Sequence, residues 1–266
     1  MALLCGTVLL EPTDTLAGLG DQFQGTLDLI RRPERVRLVA HRHPRLFVAS
    51  GASQSLAVPG ATAWGDEFIV QPDAASQEAL SFSGVSDASF RIWNPFASFI
   101  AAAIVGGLGK TPKWKDERLL AIDMSARDLS YYADLVGEGG IVHFKNSIPL
   151  AAEDLNKLQQ HWPKVQELDF AGTARPCKFN TLLVHGHIQD HQIVLDRLKS
   201  LLRADALVMW TIQAAQDATE PAELQFSQTV QALRQCGLKP KEQITLEPYF
   251  SNSAVIVAQC DRNWPE

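Results

Sequence analysis

Apolar positions change rhythm along this chain. From Val36 to Val70 they come in short bursts, VRLVAH, RLFVAS, SLAVPG and DEFIVQP, separated by Pro, Gly or His-Pro. Bursts of that length with turn punctuation predict the strands of a small antiparallel β domain. Asp73 to Asp87, rich in Ala, Ser and Gln, reads as a connector. In RIWNPFASFIAAAIVGGLGK, Asn94-Pro95 starts a helix, Phe96, Ile100 and Ile104 recur at helical spacing, and Gly106 with Gly107 ends it.

Beyond Leu119, apolar runs alternate with amphipathic ones: LLAID, DLSYYADLVG, IVHFK, EDLNKLQQHW, VQELDF, TLLVHG, IVLDRLKSLL, ALVMWTI and AELQFSQTVQALRQCG, then ITLEPY and AVIVAQC. Strand and helix patterns in alternation predict a parallel sheet wound with helices. Phe250 to Ser253 is too short a link for a crossover, so the last pair reads as an antiparallel hairpin. The expected fold class is α/β: a mostly parallel, Rossmann-like sheet with a C-terminal antiparallel hairpin, the build of S-adenosylmethionine-dependent methyltransferases, preceded by the small antiparallel β domain. Fold alone assigns no reaction. The expected divisions are an N-terminal extension over 1–34, contributing a strand and a helix, the β domain over 35–87 and the α/β body over 88–266.

With 266 residues, 46% of them hydrophobic and 20% charged, the chain is long enough for two cores. The net charge of -6 supplies no general attraction to a polyanion, which disfavours strong autonomous RNA binding. Cys5, Cys177, Cys236 and Cys260 lack zinc-ligand or CxxC spacing and read as reduced, mostly buried thiols. MALLCGTVLL has no basic residues ahead of its apolar run and meets Glu11 and Asp14 soon after, unlike a secretory signal. No run reaches the ~18 apolar residues of a membrane span.

The turn after LLAI carries the sharpest chemical information. In an α/β domain the first strand-to-helix turn is where backbone N–H groups approach a nucleotide-like ligand, and glycines permit that approach. Here Asp123, Met124, Ser125, Ala126, Arg127 and Asp128 fill it. Two carboxylates and a row of Cβ atoms argue against a diphosphate and crowd an adenosine cofactor. Elsewhere, His185, His187 and His191 with Asp190 lie close after a strand, but no carboxylate is fixed at ligand spacing and a metal reading is weak. His41 and His43 read as turn or interface packing. Ser125 near Arg127 and Asp128 lacks a nucleophile-elbow sequence, so hydrolysis is not supported. Trp93, Phe96, Phe99 and Ile100 read as an apolar helix face, mostly core.

These segments resemble one family. VAHRHPRLFVASG, LAVPGATAWGDE, RIWNPFASFIAAAIVGGL, DLVGEGGIV, LKPKEQITLEPY and AVIVA are collinear with fibrillarin, the 2'-O-methyltransferase subunit of box C/D ribonucleoproteins, from about Arg35 to Cys260. The resemblance implies S-adenosylmethionine as cofactor, a Nop-type scaffold as partner, contact with guide RNA and rRNA, and a nuclear, nucleolar location. The departures from the family cluster in the chemistry. DMSARD replaces the glycine-rich turn, and Lys145 and Asn146 stand where an acidic residue would bind the ribose. Asp169 can take the adenine-binding position, and Asp123 is a second candidate for cofactor contact. Attack by a 2'-hydroxyl needs a base or cations that stabilise the developing alkoxide. The family's Lys-Asp-Lys set falls on Phe99, Gly186 and Gln213, and an arginine near the first lysine falls on Ala97. Glu247 is kept, with a structural role in the hairpin as its other reading.

Two readings follow. In the first, the chain is a non-catalytic, structural fibrillarin-like subunit of a box C/D-type particle, with no cofactor, reaching RNA through its neighbours. In the second it is an active rRNA 2'-O-methyltransferase with a rearranged site, in which Asp123, Asp128 or Asp169 holds the cofactor and Lys110, Lys145 or Lys178 supplies a cation.

Overall fold

The computed structural model describes residues 2–5, 8–10, 27–30, 34–50, 54–65, 67–81, 89–169, 178–214 and 221–261. Three strands, β1 (Ala2–Cys5), β2 (Val8–Leu10) and β3 (Leu27–Ile30), pair antiparallel in the order β2-β1-β3. The N-terminal extension therefore contains more strand than expected, and the helix anticipated there lies outside the described residues.

Next comes a closed barrel of β4 (Glu34–Ala40), β5 (Phe47–Ser50), β6 (Gln54–Pro59), β7 (Ile69–Pro72) and β8 (Phe90–Ile92), ordered β4-β5-β6-β8-β7. Closure removes exposed strand edges, which suits strands this short. Three features depart from the sequence reading. Strands β4 and β7 run parallel, so the domain is not wholly antiparallel. Its last strand is FRI, three residues too short to show a period. The connector holds a helix, α1 (Ala74–Ser81), because Asp73 Oδ1 accepts the Ser76 N–H at 2.8 Å and caps it.

The body is a seven-stranded sheet ordered β11-β10-β9-β12-β13-β15-β14. Its parallel strands are β9 (Arg118–Ile122), β10 (Ile141–Lys145), β11 (Val165–Glu167), β12 (Phe179–His185) and β13 (Leu202–Gln213). Antiparallel β14 (Lys239–Thr245) and β15 (Ser253–Gln259) form the terminal hairpin, with β15 against β13. Alternation along β9 explains the layering. Leu119 and Ala121 enter a core that also contains residues of helices α2 (Phe99–Val105), α3 (Ala126–Val136) and α4 (Ala152–His161). Leu120 and Ile122 face the opposite way, into a core with α5 (Gln192–Leu201) and α6 (Ala222–Gln235). A parallel sheet covered on both faces buries its strands almost throughout, hence the continuous apolar run of β13.

Helix α2 begins later than Asn94-Pro95. The Asn94 side-chain oxygen accepts the Phe96 N–H at 2.9 Å and diverts the chain into a turn, and Ser98 becomes the N-cap. Phe96 therefore lies outside the helix with 64% of its surface exposed, while Trp93 is fully buried.

Arg91 joins barrel to body. This buried guanidinium donates to Glu67 Oε2 and Asp134 Oδ2, each at 2.6 Å, and to Ser130 Oγ at 2.9 Å, and it lies 4.0 Å from the Tyr131 ring centroid. From the loop before β5, Arg42 Nη2 and His43 Nε2 donate to the Leu108 carbonyl at 2.7 and 2.8 Å, and Arg45 Nη2 donates to the Asp134 carbonyl at 2.9 Å. His43 is thus an interface residue.

Candidate functional site

In an open α/β sheet the ligand crevice lies at the carboxyl ends of the strands where the order reverses, here between β9 and β12. The glycine-free turn sits there. Asp123 adopts φ +54, a left-handed conformation that Asp tolerates better than most residues. Its carboxylate accepts the N–H of Ser147, accepts the Ser147 hydroxyl at 2.8 Å, and lies 3.5 Å from His191 Nδ1. One side chain thus ties the end of β9 to the segments after β10 and β12. Asn146 turns inward and donates to the Met124 carbonyl at 2.9 Å; Met124 is itself buried.

Ser125 starts α3. Its hydroxyl accepts the Asp128 N–H at 3.0 Å and donates to Asp128 Oδ2 at 2.7 Å. Asp128 is buried, and burial raises its pKa above the ordinary value of 3.8, against the Ser125 hydrogen bond that lowers it. This carboxylate faces into the protein and is absorbed by the helix start.

Across the crevice, Phe99 stacks on His185 with centroids 4.6 Å apart and on Phe250 at 4.1 Å. Burial lowers the His185 pKa, partly opposed by Asp123. Gly186 adopts φ +119, and its carbonyl accepts the Trp210 indole N–H at 2.9 Å. A Cβ at Gly186 would stand 2.8 Å from His191 Nε2, whose ring is held by the His185 carbonyl at 2.8 Å. An aspartate there would displace that ring. His191 is therefore a packing residue of the crevice, and among the described residues no three His, Cys, Asp or Glu side chains could hold a metal ion.

The remaining expected residues are dispersed. Gln213 is exposed at the end of β13, opposite Ser253. Asp169 is exposed just beyond β11. Lys145 pairs with Glu167 at 2.8 Å. Lys110 reaches Gln259, and Lys178 directly precedes β12; both lie towards the amino ends of the parallel strands, away from the crevice. Glu247 accepts the Asn252 N–H at 3.1 Å within the hairpin turn. Sequence reasoning missed Ser147 and Phe250, and it considered His191 only as a metal ligand. None of the three carries a local signal, because each acts through a partner distant in the chain. At the crevice, Asn146 Oδ1 and His185 Nδ1 are buried without a hydrogen-bond partner.

Comparison with known proteins agrees with this architecture. The family model described as Fibrillarin matches residues 57–262. The rRNA 2'-O-methyltransferase fibrillarin of Eremothecium gossypii is 28% identical over 255 residues, covering 86% of this chain and 73% of that protein. The mouse RNA 2'-O-methyltransferase FBLL1 is 30% identical over 238 residues, covering 84% and 72%. Among solved structures, Aeropyrum pernix fibrillarin, determined with natively bound S-adenosyl-L-methionine, superposes with TM-score 0.69 at 20% identity over 85% of this chain and all of that one. The chain in a fibrillarin/Nop5p complex superposes with TM-score 0.58 at 19% identity, covering 77% and 93%. The collinear match over most of the length, together with the sheet order and barrel, shows that this chain belongs to the fibrillarin family.

Proposed function

We propose that this chain is a fibrillarin-type subunit of an rRNA-modifying ribonucleoprotein that has given up methyl transfer and works as a structural member. The observation that carries the reading is the Asp123 carboxylate, tied to Ser147 and His191 across the crevice where a methyl donor would lie. Binding S-adenosylmethionine would require breaking those bonds and displacing the Phe99, His185 and Phe250 stack, with no glycine turn to receive the ligand's polar groups. The residues at this crevice do not fit that cofactor. A Nop-type scaffold is the partner that the fibrillarin/Nop5p complex suggests, with guide RNA and rRNA reached chiefly through neighbouring subunits and a nucleolar location to match. Among the described residues no helix is long and apolar enough to cross a membrane.

Calorimetry of the purified chain with S-adenosylmethionine tests the reading, with no binding heat expected. Micromolar affinity would overturn it. The active-enzyme reading draws on the relatives' names and on the two unpartnered atoms, Asn146 Oδ1 and His185 Nδ1. Methyl incorporation into guide-matched RNA by a reconstituted particle containing this chain would establish it.

A further inference from the structure

Among the described residues, the large exposed apolar side chains fall into two groups, with Val39 alone on the barrel. Phe68, Phe96 and Val105 line a cavity of about 500 Å³ where barrel meets body. Glu67 and Arg127 line it as well, 3.6 Å apart, so it presents no net charge to a ligand. The second group lies at the carboxyl end of the parallel strands: Ile148 follows β10, Ile193 is in the first turn of α5 after β12, and Leu224 is in the first turn of α6 after β13. Ile148 is 82% exposed and Ile193 64%. One exposed apolar side chain is ordinary, but these two are carried by segments that meet. Ser147, directly before Ile148, donates to the Asp123 carboxylate, and His191, two residues before Ile193, lies 3.5 Å from the same group. Strands β10 and β12 stand two places apart in the sheet, a separation of roughly 10 Å.

The charge around them has one sign. Glu153, Asp169, Asp190, Glu223 and Glu247 are all exposed at this end of the sheet. Among the described residues of the strand ends, the turns after them and the first helical turns, the lysines and arginines are Lys145, which pairs with Glu167, and Arg127, which faces Glu67. Acids in first helical turns complement the helix dipole, which accounts for Glu153 and Glu223. It does not account for Asp169 beyond β11 or Glu247 in the hairpin turn, nor for isoleucines left in water. A surface of this sign repels RNA phosphates and attracts lysine and arginine.

We propose that the carboxyl end of the sheet is a docking surface for a basic amphipathic helix of a partner protein. Apolar residues seven apart share one face of a helix and stand about 10 Å from each other, the separation of the two strands that lead to Ile148 and Ile193. The helix seats that face on the two isoleucines, and the lysines or arginines beside it meet Glu153, Asp169 and Asp190. The proposal rests on the structural role above, because a helix seated here covers the mouth of the crevice.

The test uses the full chain and two fluorescein-labelled helical peptides of identical leucine and lysine content, one with its leucines on a single face and one with them spread around the helix. Fluorescence anisotropy should show the single-face peptide binding more tightly. Ile148→Ser and Ile193→Ser should each weaken it about tenfold, the scale of one lost anchor at an interface. Glu153→Lys and Asp190→Lys should weaken it and flatten its salt dependence. Val39→Ser, on the barrel, should leave it unchanged. The proposal fails if the two peptides bind alike, or if both serine variants bind as the wild type does. Binding of a labelled single-stranded oligoribonucleotide that Ile148→Ser weakens would also overturn it, as would a dimer of the chain that Ile193→Ser dissociates. Heat on adding S-adenosylmethionine alone counts against the structural role, whereas the peptide titration bears on this surface, so the two fail separately.

Discussion

Asp128 shows how a single position can mislead when read in isolation. In sequence it is a carboxylate in a cofactor turn; in the fold it is a buried acid bonded to Ser125 at the start of α3. Burial raises its pKa, so the folded state favours the protonated form. A group whose folded pKa lies above its unfolded value contributes its stability at pH below the unfolded value, and that contribution is lost as pH rises through the folded value. At neutral pH the charged carboxylate is therefore a cost. Asp128→Asn should raise the urea midpoint at pH 7, and the gain should shrink as pH falls towards 3.8, the ordinary value of the group. Denaturation curves at both pH values check this. A lower midpoint at pH 7 would show that the hydrogen bonds to Ser125 outweigh burial.

At the scale of elements, the alternating runs after Leu119 announced strands β9 to β13 and β15 and helices α3 to α6, because long periodic segments carry their own signal, whereas β14 lies earlier than ITLEPY suggested: it ends at Thr245, and Leu246 to Tyr249 fall in the hairpin turn. Two elements were not announced: β8, with three residues, and α1, whose only local sign is the capping Asp73. The start of α2 was misplaced because the Asn94 side chain competes for a backbone N–H that a helix would have used. Caps also set the predictable energies at this scale. Removing the Ser125 hydroxyl takes away the α3 N-cap and the donor to Asp128, so Ser125→Ala should lower stability by about 1 kcal/mol. Chemical denaturation monitored by circular dichroism measures it.

For the whole molecule, the joint between barrel and body is the stability question and the crevice is the functional one. Arg91→Leu would strip buried Asp134 and Glu67 of the Arg91 guanidinium, leaving Glu67 only the longer 3.6 Å approach of Arg127, and a cost of about 3–5 kcal/mol is expected. Thermal unfolding should show the loss, and restoring Lys at that position should recover only part of it, since one ammonium cannot reproduce the guanidinium's several donors. The proposed loss of cofactor binding predicts a flat ligand response. A ligand present at 100 times its Kd adds about 2.7 kcal/mol to a protein that binds it. S-adenosylmethionine at millimolar concentration should therefore leave the melting temperature of this chain unchanged, whereas a micromolar binder would raise it by several degrees.

The chain's periodicity determined the order of its α/β elements and the double-sided burial of the parallel sheet, because those follow from local apolar spacing. Its resemblance to the family also gave the positions expected to lack the family's glycines, lysines and acids. What occupies the crevice instead was decided by the tertiary structure. Asp123 with Ser147 and His191, and Phe99 with His185 and Phe250, meet only because strand register and helix placement bring distant segments to one end of the sheet. The cavity beside Phe96 has the same origin. It arises where barrel and body pack, and no spacing within either segment encodes it.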